Sequence, residues 1–280
     1  MRNKLIFILL VVLIASNIYA IFDDYEPSPR ARAMSGAFYS MSDDAYAIFY
    51  NPAGLAEVKN HLGISYTEIF GNDFQVLNTI AFAMELPKKF GNIGIGLQAM
   101  DVDFQDVNLL SEKTYALSHS FTLLKDIHSK FDFGYTLNLY HLSIDGYGEQ
   151  AAFGVNLGVL ATLHQRTKIG FAVTNVNNPT VGDDNFHELP QKMTIGISYE
   201  PYTGVHTSVE MKKPFAGTTE IHGGTELVVT DMLSLYVGIR SNPVSYSAGA
   251  QFSLYDVVIN YAFNTHILGG THHFGIGYKF

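Results

Sequence analysis

From His61 to Phe280 the chain alternates, residue by residue, between apolar side chains and small or polar ones. Ile93, Ile95, Leu97 and Ala99 stand against Gly94, Gly96 and Gln98, and Phe131, Phe133, Tyr135, Leu137 and Leu139 against Asp132, Gly134, Thr136 and Asn138. Met193, Ile195, Ile197 and Tyr199 oppose Thr194, Gly196 and Ser198 in the same way. A period of two puts neighbouring side chains on opposite faces of a strand. The pattern recurs at 153–162, 205–212, 233–240 and 257–264, and more weakly near 61–70, 75–86, 114–124, 167–176, 219–229 and 244–253. With the terminal segment this predicts an all-β fold, a transmembrane antiparallel β-barrel of about 14 strands over residues 60–280. Closure of the sheet supplies every backbone hydrogen bond that lipid cannot.

The terminal segment sets Phe274, Ile276, Tyr278 and Phe280 on one face and His273, Gly275, Gly277 and Lys279 on the other. These four large side chains suit lipid and its aromatic girdle, and they read as a C-terminal assembly signal for the barrel-assembly machinery. At the other end, Met1 to Ala20 carries Arg2 and Lys4, an apolar run from Leu5 to Ala15, and a small residue at Ala20. This reads as a secretory signal peptide, since its apolar core is shorter than the ~20 residues of a spanning helix. Removing it takes the formal charge from −9 to −11, because two cations leave. An acidic exported chain excludes nucleic acid as a partner, and a cysteine count of zero leaves no disulfide to staple the fold. Composition agrees: 15% charged residues with 20 Phe, 17 Tyr and 25 Gly suit strands between hydrocarbon and a crowded lumen. The expected setting is the outer membrane of a Gram-negative-type bacterium, as a monomer in outer-membrane lipid, without cofactor or metal.

If the first strand runs outward, the turns near 86–89, 125–130, 165–168 and 230–232 face the periplasm. The segments 103–113, 145–150, 177–190, 213–218 and 265–271 then face outside, the longest being Asn177 to Pro190.

Residues 21–59 do not alternate. Arg30-Ala31-Arg32-Ala33-Met34-Ser35-Gly36-Ala37 is followed by Asp43-Asp44 and by Asn51-Pro52-Ala53-Gly54-Leu55-Ala56, which suggests a short helical turn and a rigid corner at Pro52. This combination of an Arg, Met34, Gly36-Ala37, an acidic pair and N-P-A-G-L-A resembles the amino-terminal hatch of the FadL superfamily. It looks closest to the PorV/PorQ-like branch, with Ser35 where that family usually has glycine. The resemblance covers about a tenth of the chain and implies that residues 21–59 plug the lumen, with Arg32, Gly36, Asp43, Asp44, Asn51, Pro52, Ala53 and Gly54 as the hatch motif.

Two functions follow from the resemblance. A PorV/PorQ-like barrel serves protein secretion, handling exported cargo with components of a type IX-like system. A FadL-type barrel takes up long-chain fatty acids or other hydrophobic molecules, and Phe38, Tyr39, Tyr46, Phe49 and Tyr50 of the hatch would then line an apolar pocket or pack the plug against the wall. The short chain and modest outer loops lean toward the secretion branch. The residues themselves offer no G-x-S-x-G elbow, and the Gly94-Ile95-Gly96 pair lies in an alternating strand, so no enzyme is expected. His206, Glu210, Lys212, His222, Glu226 and Arg240 share polar faces and form an expected lumen network of hydrogen bonds and ion pairs. His266, His272 and His273 are expected on a solvated outer loop.

Overall fold

The computed structural model describes residue 22 and residues 25–87, 90–105, 107–182 and 187–280. The segment read as a signal peptide lies outside the described residues. Fourteen strands close into one antiparallel barrel. In chain order they are β1 (His61–Glu68), β2 (Gln75–Glu85), β3 (Asn92–Phe104), β4 (Val107–Lys125), β5 (Ser129–Ile144), β6 (Gly148–Leu163) and β7 (Thr167–Thr174). After a two-stranded ladder of β8 (Thr180–Val181) and β9 (His187–Glu188) come β10 (Lys192–Tyr202), β11 (Val205–Pro214), β12 (Glu220–Thr230), β13 (Leu233–Arg240), β14 (Ser245–Leu254), β15 (Val257–Asn264) and β16 (Thr271–Lys279). β16 closes on β1 in unbroken register from His61 opposite Lys279 to Glu68 opposite His272. No helix among the described residues is long and apolar enough to cross a membrane.

Alternation sorts the faces as the sequence implies. Ile95, Ile195, Ile259 and Ile276 point outward and are about half exposed, while Ser118, Asp132, Thr136, Ser208 and His222 are fully buried on the lumen side. Phe274, Ile276, Tyr278 and Phe280 all face outward, as expected of the last strand.

The strands differ greatly in length, and this the sequence pattern does not reveal. β4 runs 19 residues and β5 and β6 run 16, against 8 for β1, β7, β13 and β15. At roughly 3.3 Å per residue and a ~45° tilt, β4 rises ~40 Å, well beyond an apolar band ~25 Å tall. Cross-strand rows locate the boundary: Leu97, Tyr115, Leu139 and Phe153 lie in one row, and the next two are Ala99, Lys113, His141, Ala151 and Asp101, Ser111, Ser143, Glu149. The last row is tied by Ser111 donating to Asp101 at 2.7 Å, with His141 beside Glu149 at 3.4 Å. β3 to β6 therefore project past the membrane as a polar-backed wing. Segment 103–113 is accordingly not the outer loop expected of it. β3 and β4 continue through it, because a strand above the bilayer keeps its ladder while its outward side chains turn polar.

Residues 25–58 fill the lumen. Helix α1 (Pro29–Ala33) starts at Ser28, whose hydroxyl accepts from the Ala31 amide at 3.3 Å, and Pro29 occupies its first position. Two 3-10 turns follow, Ala45–Phe49 and Pro52–Glu57, capped by the side chains of Asp44 and Asn51. The barrel's hydrophobic core is the interface this segment makes with the wall: Met34, Phe38, Tyr39, Ile48, Tyr50 and Leu55 against Ala81, Ala83, Ala116, Ala172, Tyr236 and Ala262.

Replacing Ile195 with Arg should destabilise the barrel by about 2–4 kcal/mol in urea titrations in phospholipid, a lipid-face penalty that a conservative Ile195→Val change would not carry. Equal stability of the two variants would show that this face does not meet hydrocarbon.

Candidate functional site

The plug is seated by backbone approach. Asn51 is fully buried; its side-chain oxygen accepts from the Ala53 amide at 3.2 Å, and its amide nitrogen donates to the carbonyls of Tyr39 at 2.9 Å and of Val159 on β6 at 3.1 Å. Lumen-facing Gly134 and Gly158 make room for this corner. A Cβ on Gly134 would lie 2.4 Å from the Pro52 carbonyl carbon, and one on Gly158 would lie 2.1 Å from the Asn51 side-chain oxygen. The remaining hatch-motif residues have local tasks. Arg32 donates to the Glu26 carbonyl at 2.9 Å, Gly36 passes under the Glu26 carboxylate at φ +81°, Asp44 accepts from the Tyr46 amide at 2.8 Å, and Gly54 lies against the Ser42 carbonyl.

Several of the polar wall residues expected to form a lumen network reach the plug. His206 and Glu226 are cross-strand partners, as are Glu210 and His222. Their side chains nevertheless go elsewhere. Glu226 takes Arg30 at 2.6 Å and the Tyr236 hydroxyl at 3.1 Å, and Arg30 also binds Asp43. Glu210 accepts from the Ser40 amide at 2.9 Å and Lys212 pairs with Glu26. His222 lies between the Ser35 carbonyl and Glu220, at 3.0 Å from the latter carboxylate. His206 lines a recess at the barrel end where Lys59 and Lys279 lie, and Arg240 stands opposite His222 at the end of β13. Among the described residues no cluster has a metal ligand set. Burial raises the Asp43 carboxyl, but the charge and hydrogen bond of the Arg30 guanidinium, together with the Lys168 charge, hold it below the usual carboxylate range. Asp44 is pushed up to about 7, by burial first and by the neighbouring Asp43 charge, against the opposing pull of Arg30.

Of the five hatch aromatics, Phe38, Tyr39, Tyr46 and Tyr50 are buried between plug and wall, with Tyr50 meeting Phe38 and Tyr39 edge-on at 5.3 and 5.5 Å. Phe49 differs from these four. It reaches a cavity of about 70 Å³ above the plug, lined also by Phe22, Tyr25, Gln98, Tyr140, Asn175 and Lys192.

Over that cavity lies a cap that sequence reasoning missed. Leu110, Tyr140, Leu142, Ile144 and Ala152 line the inner face of the projecting wing, and Val181, Leu189 and Phe22 cover them. Val181 and Leu189, at opposite ends of the ladder made by the long outer connection, are each 2% exposed. Asn175, at φ +56°, pins the connection: its side chain accepts from the Tyr140 hydroxyl at 2.8 Å and donates to the Pro190 carbonyl at 2.9 Å. Gly154 leaves the space Asn175 fills. Isolated apolar residues in a non-periodic loop give no pattern to read. His273 departs from expectation as well. It is fully buried and 2.9 Å from the Thr67 hydroxyl, because its position on β16 faces the lumen, while His266 stacks on Phe70 at 4.5 Å. Below the plug, two recesses of about 630 and 370 Å³ open at the end where the chain termini of the barrel lie. The site is thus an apolar cap and small cavity on one side of the plug and wide polar recesses on the other.

The barrel fold matches those of outer-membrane proteins of known structure. The CymD monoaromatic hydrocarbon channel superposes with a TM-score of 0.66 at 13% identity, over 92% of this chain and 99% of that one. The Pseudomonas putida toluene transporter TodX does so at 0.65 and 13% identity, over 91% and 99%. A FadL homologue of Pseudomonas aeruginosa gives 0.59 at 12%, over 90% and 95%. No protein-family model and no curated protein matches the sequence. The fold is therefore that of FadL-type outer-membrane barrels. These neighbours lend nothing to the PorV/PorQ branch of the resemblance.

Gly158→Leu should unseat the Asn51–Pro52 corner at a cost of about 1–3 kcal/mol from overpacking and open an ion-conducting path in planar bilayers. The lipid-facing control Val159→Leu should stay closed, and a closed Gly158→Leu barrel would mean that the corner is not what seals the lumen.

Proposed function

We propose that this barrel is a FadL-type channel that admits small hydrophobic molecules through the outer membrane. The observation that carries the reading is the capped apolar face: Leu110, Leu142, Ile144 and Ala152 form a concave greasy surface above the membrane, closed by Val181 and Leu189 and continuous with the cavity at Phe49. A protein that only needed to span the bilayer gains nothing from extending four strands to build a capped apolar surface beyond it. Burying apolar area there contributes ~25 cal/mol per Å² to whatever enters from water. The neighbours support the same reading, since proteins of this fold include a monoaromatic hydrocarbon channel and a toluene transporter. On this account a solute enters under the cap, meets Phe49 and Tyr140, and passes to the polar recesses when the plug yields. The chain performs no chemistry and works as a monomer. Cargo handling in secretion draws support from neither the cap nor the neighbours.

The test is uptake of a radiolabelled monoaromatic hydrocarbon and of a long-chain fatty acid by cells expressing the protein. Wild-type chain should accelerate entry of at least one, and Leu189→Asp, which places a charge in the cap, should abolish most of the gain while the barrel remains folded. A folded wild-type barrel that accelerates neither would refute the channel.

A further inference from the structure

The plug's last turn is held by a charge tie that faces open solvent. Glu57, at the end of the Pro52–Glu57 turn, sets one carboxylate oxygen 2.6 Å from Lys130 of β5 and the other 3.3 Å from Lys168 of β7. All three side chains are about one-fifth exposed, and they line the 370 Å³ recess together with Lys125 and Arg166. The other carboxylates of this recess have nearer hydrogen-bond partners than the two lysines: Asp43 has Arg30, which lines the recess with it, Asp126 has the Ile127 amide at 2.6 Å, and Glu200 has the Gly204 amide at 3.1 Å. Lys130 has further partners in Asp132 at 3.1 Å and in the plug's own Ala56 carbonyl at 3.2 Å. Glu57 is thus the carboxylate through which the plug satisfies the two lysines. Burial would raise its carboxyl, yet Lys168 and Lys130 outweigh that and hold it below the usual range.

We propose that this recess is a binding site for an organic anion, a carboxylate or phosphate headgroup, which takes the place of the Glu57 carboxylate on Lys168 and Lys130 and so removes the side-chain tie of the plug's last turn, leaving the Ala56 carbonyl on Lys130. A solvent-reached ion pair is the kind that exchanges: its net contribution is small, and an incoming anion recovers the same charge-assisted hydrogen bonds. The recess is wide enough for a headgroup, and Ile127, Tyr199 and Met41 on its lining offer apolar contact for the first carbons of a tail. The inference deepens the channel reading by giving the periplasmic side a ligand of its own, and the binding is measured without any flux.

The experiment titrates octyl phosphate and inorganic phosphate into the protein in nanodiscs of zwitterionic phosphatidylcholine by calorimetry. Glu57→Gln, which removes the internal competitor, should tighten octyl phosphate binding several-fold, and Lys168→Met should weaken it about tenfold, the loss of one charge-assisted partner. Circular dichroism and unaltered thermal melting confirm the folded state of both variants. Equal affinity for inorganic phosphate supports a free-anion site, and preference for octyl phosphate supports an amphiphile headgroup. Absence of binding by the folded wild type, or the same affinity in Glu57→Gln and wild type, overturns the proposal. Anion binding with the expected pair of shifts in a chain that moves no hydrophobic solute would overturn the channel reading and leave this site standing.

Discussion

Everything in this molecule depends on the ladder between β1 and β16, which turns a sheet with two raw edges into a cylinder with none. In hydrocarbon each unpaired backbone group costs several kcal/mol, so a fourteen-stranded sheet is viable there only when closed. The register from His61 opposite Lys279 to Glu68 opposite His272 achieves this without a bulge. Closure also fixes the next problem, because a barrel of this size encloses more space than its own inward side chains fill. Residues 25–58 answer it, and the inward glycines and alanines of the wall are small so that this segment can lie directly against the strands.

The plug is attached in two different ways on its two sides. Toward β5 and β6 it is seated chiefly by shape, Pro52 and Asn51 against Gly134 and Gly158, with one Asn51 hydrogen bond to Val159 and the Glu57–Lys130 ion pair at its last turn. Toward β11 and β12 it is tied by charge and hydrogen bonds, Arg30 to Glu226, Glu26 to Lys212 and Ser40 to Glu210. Removing one partner of such a tie leaves a buried charge uncompensated, which is far costlier than the pair is stabilising. On this side of the barrel, ion pairs and hydrogen bonds from the wall hold a segment of the chain's own N-terminal region inside the lumen.

All fourteen strands were legible in the sequence because one face of each meets lipid and alternation has no competing explanation. Strand ends were not, since Asp101, Lys113, His141 and Glu149 interrupt the apolar face where β3 to β6 leave the bilayer, and a polar outward residue reads as a loop. The location of the plug came from Asn51-Pro52-Ala53-Gly54 by resemblance, because a segment wedged into a lumen has no periodicity of its own. The polar faces of β11 and β12 were visible, but their partners lie as far as 196 residues away in Arg30, a contact no local pattern carries. Val181 and Leu189 left no signal, being single apolar residues whose burial is decided by the wing they cover.

The central claim is that the plug must move for a solute to pass. Ser35 on the plug and Ser247 on β14 have their hydroxyl oxygens 2.7 Å apart, and the native chain has no cysteine, so Ser35→Cys with Ser247→Cys gives a single reducible bond between plug and wall. Hydrophobic-solute uptake should fall sharply when this bond is oxidised and return on reduction. Uptake that is the same in both states would contradict the account.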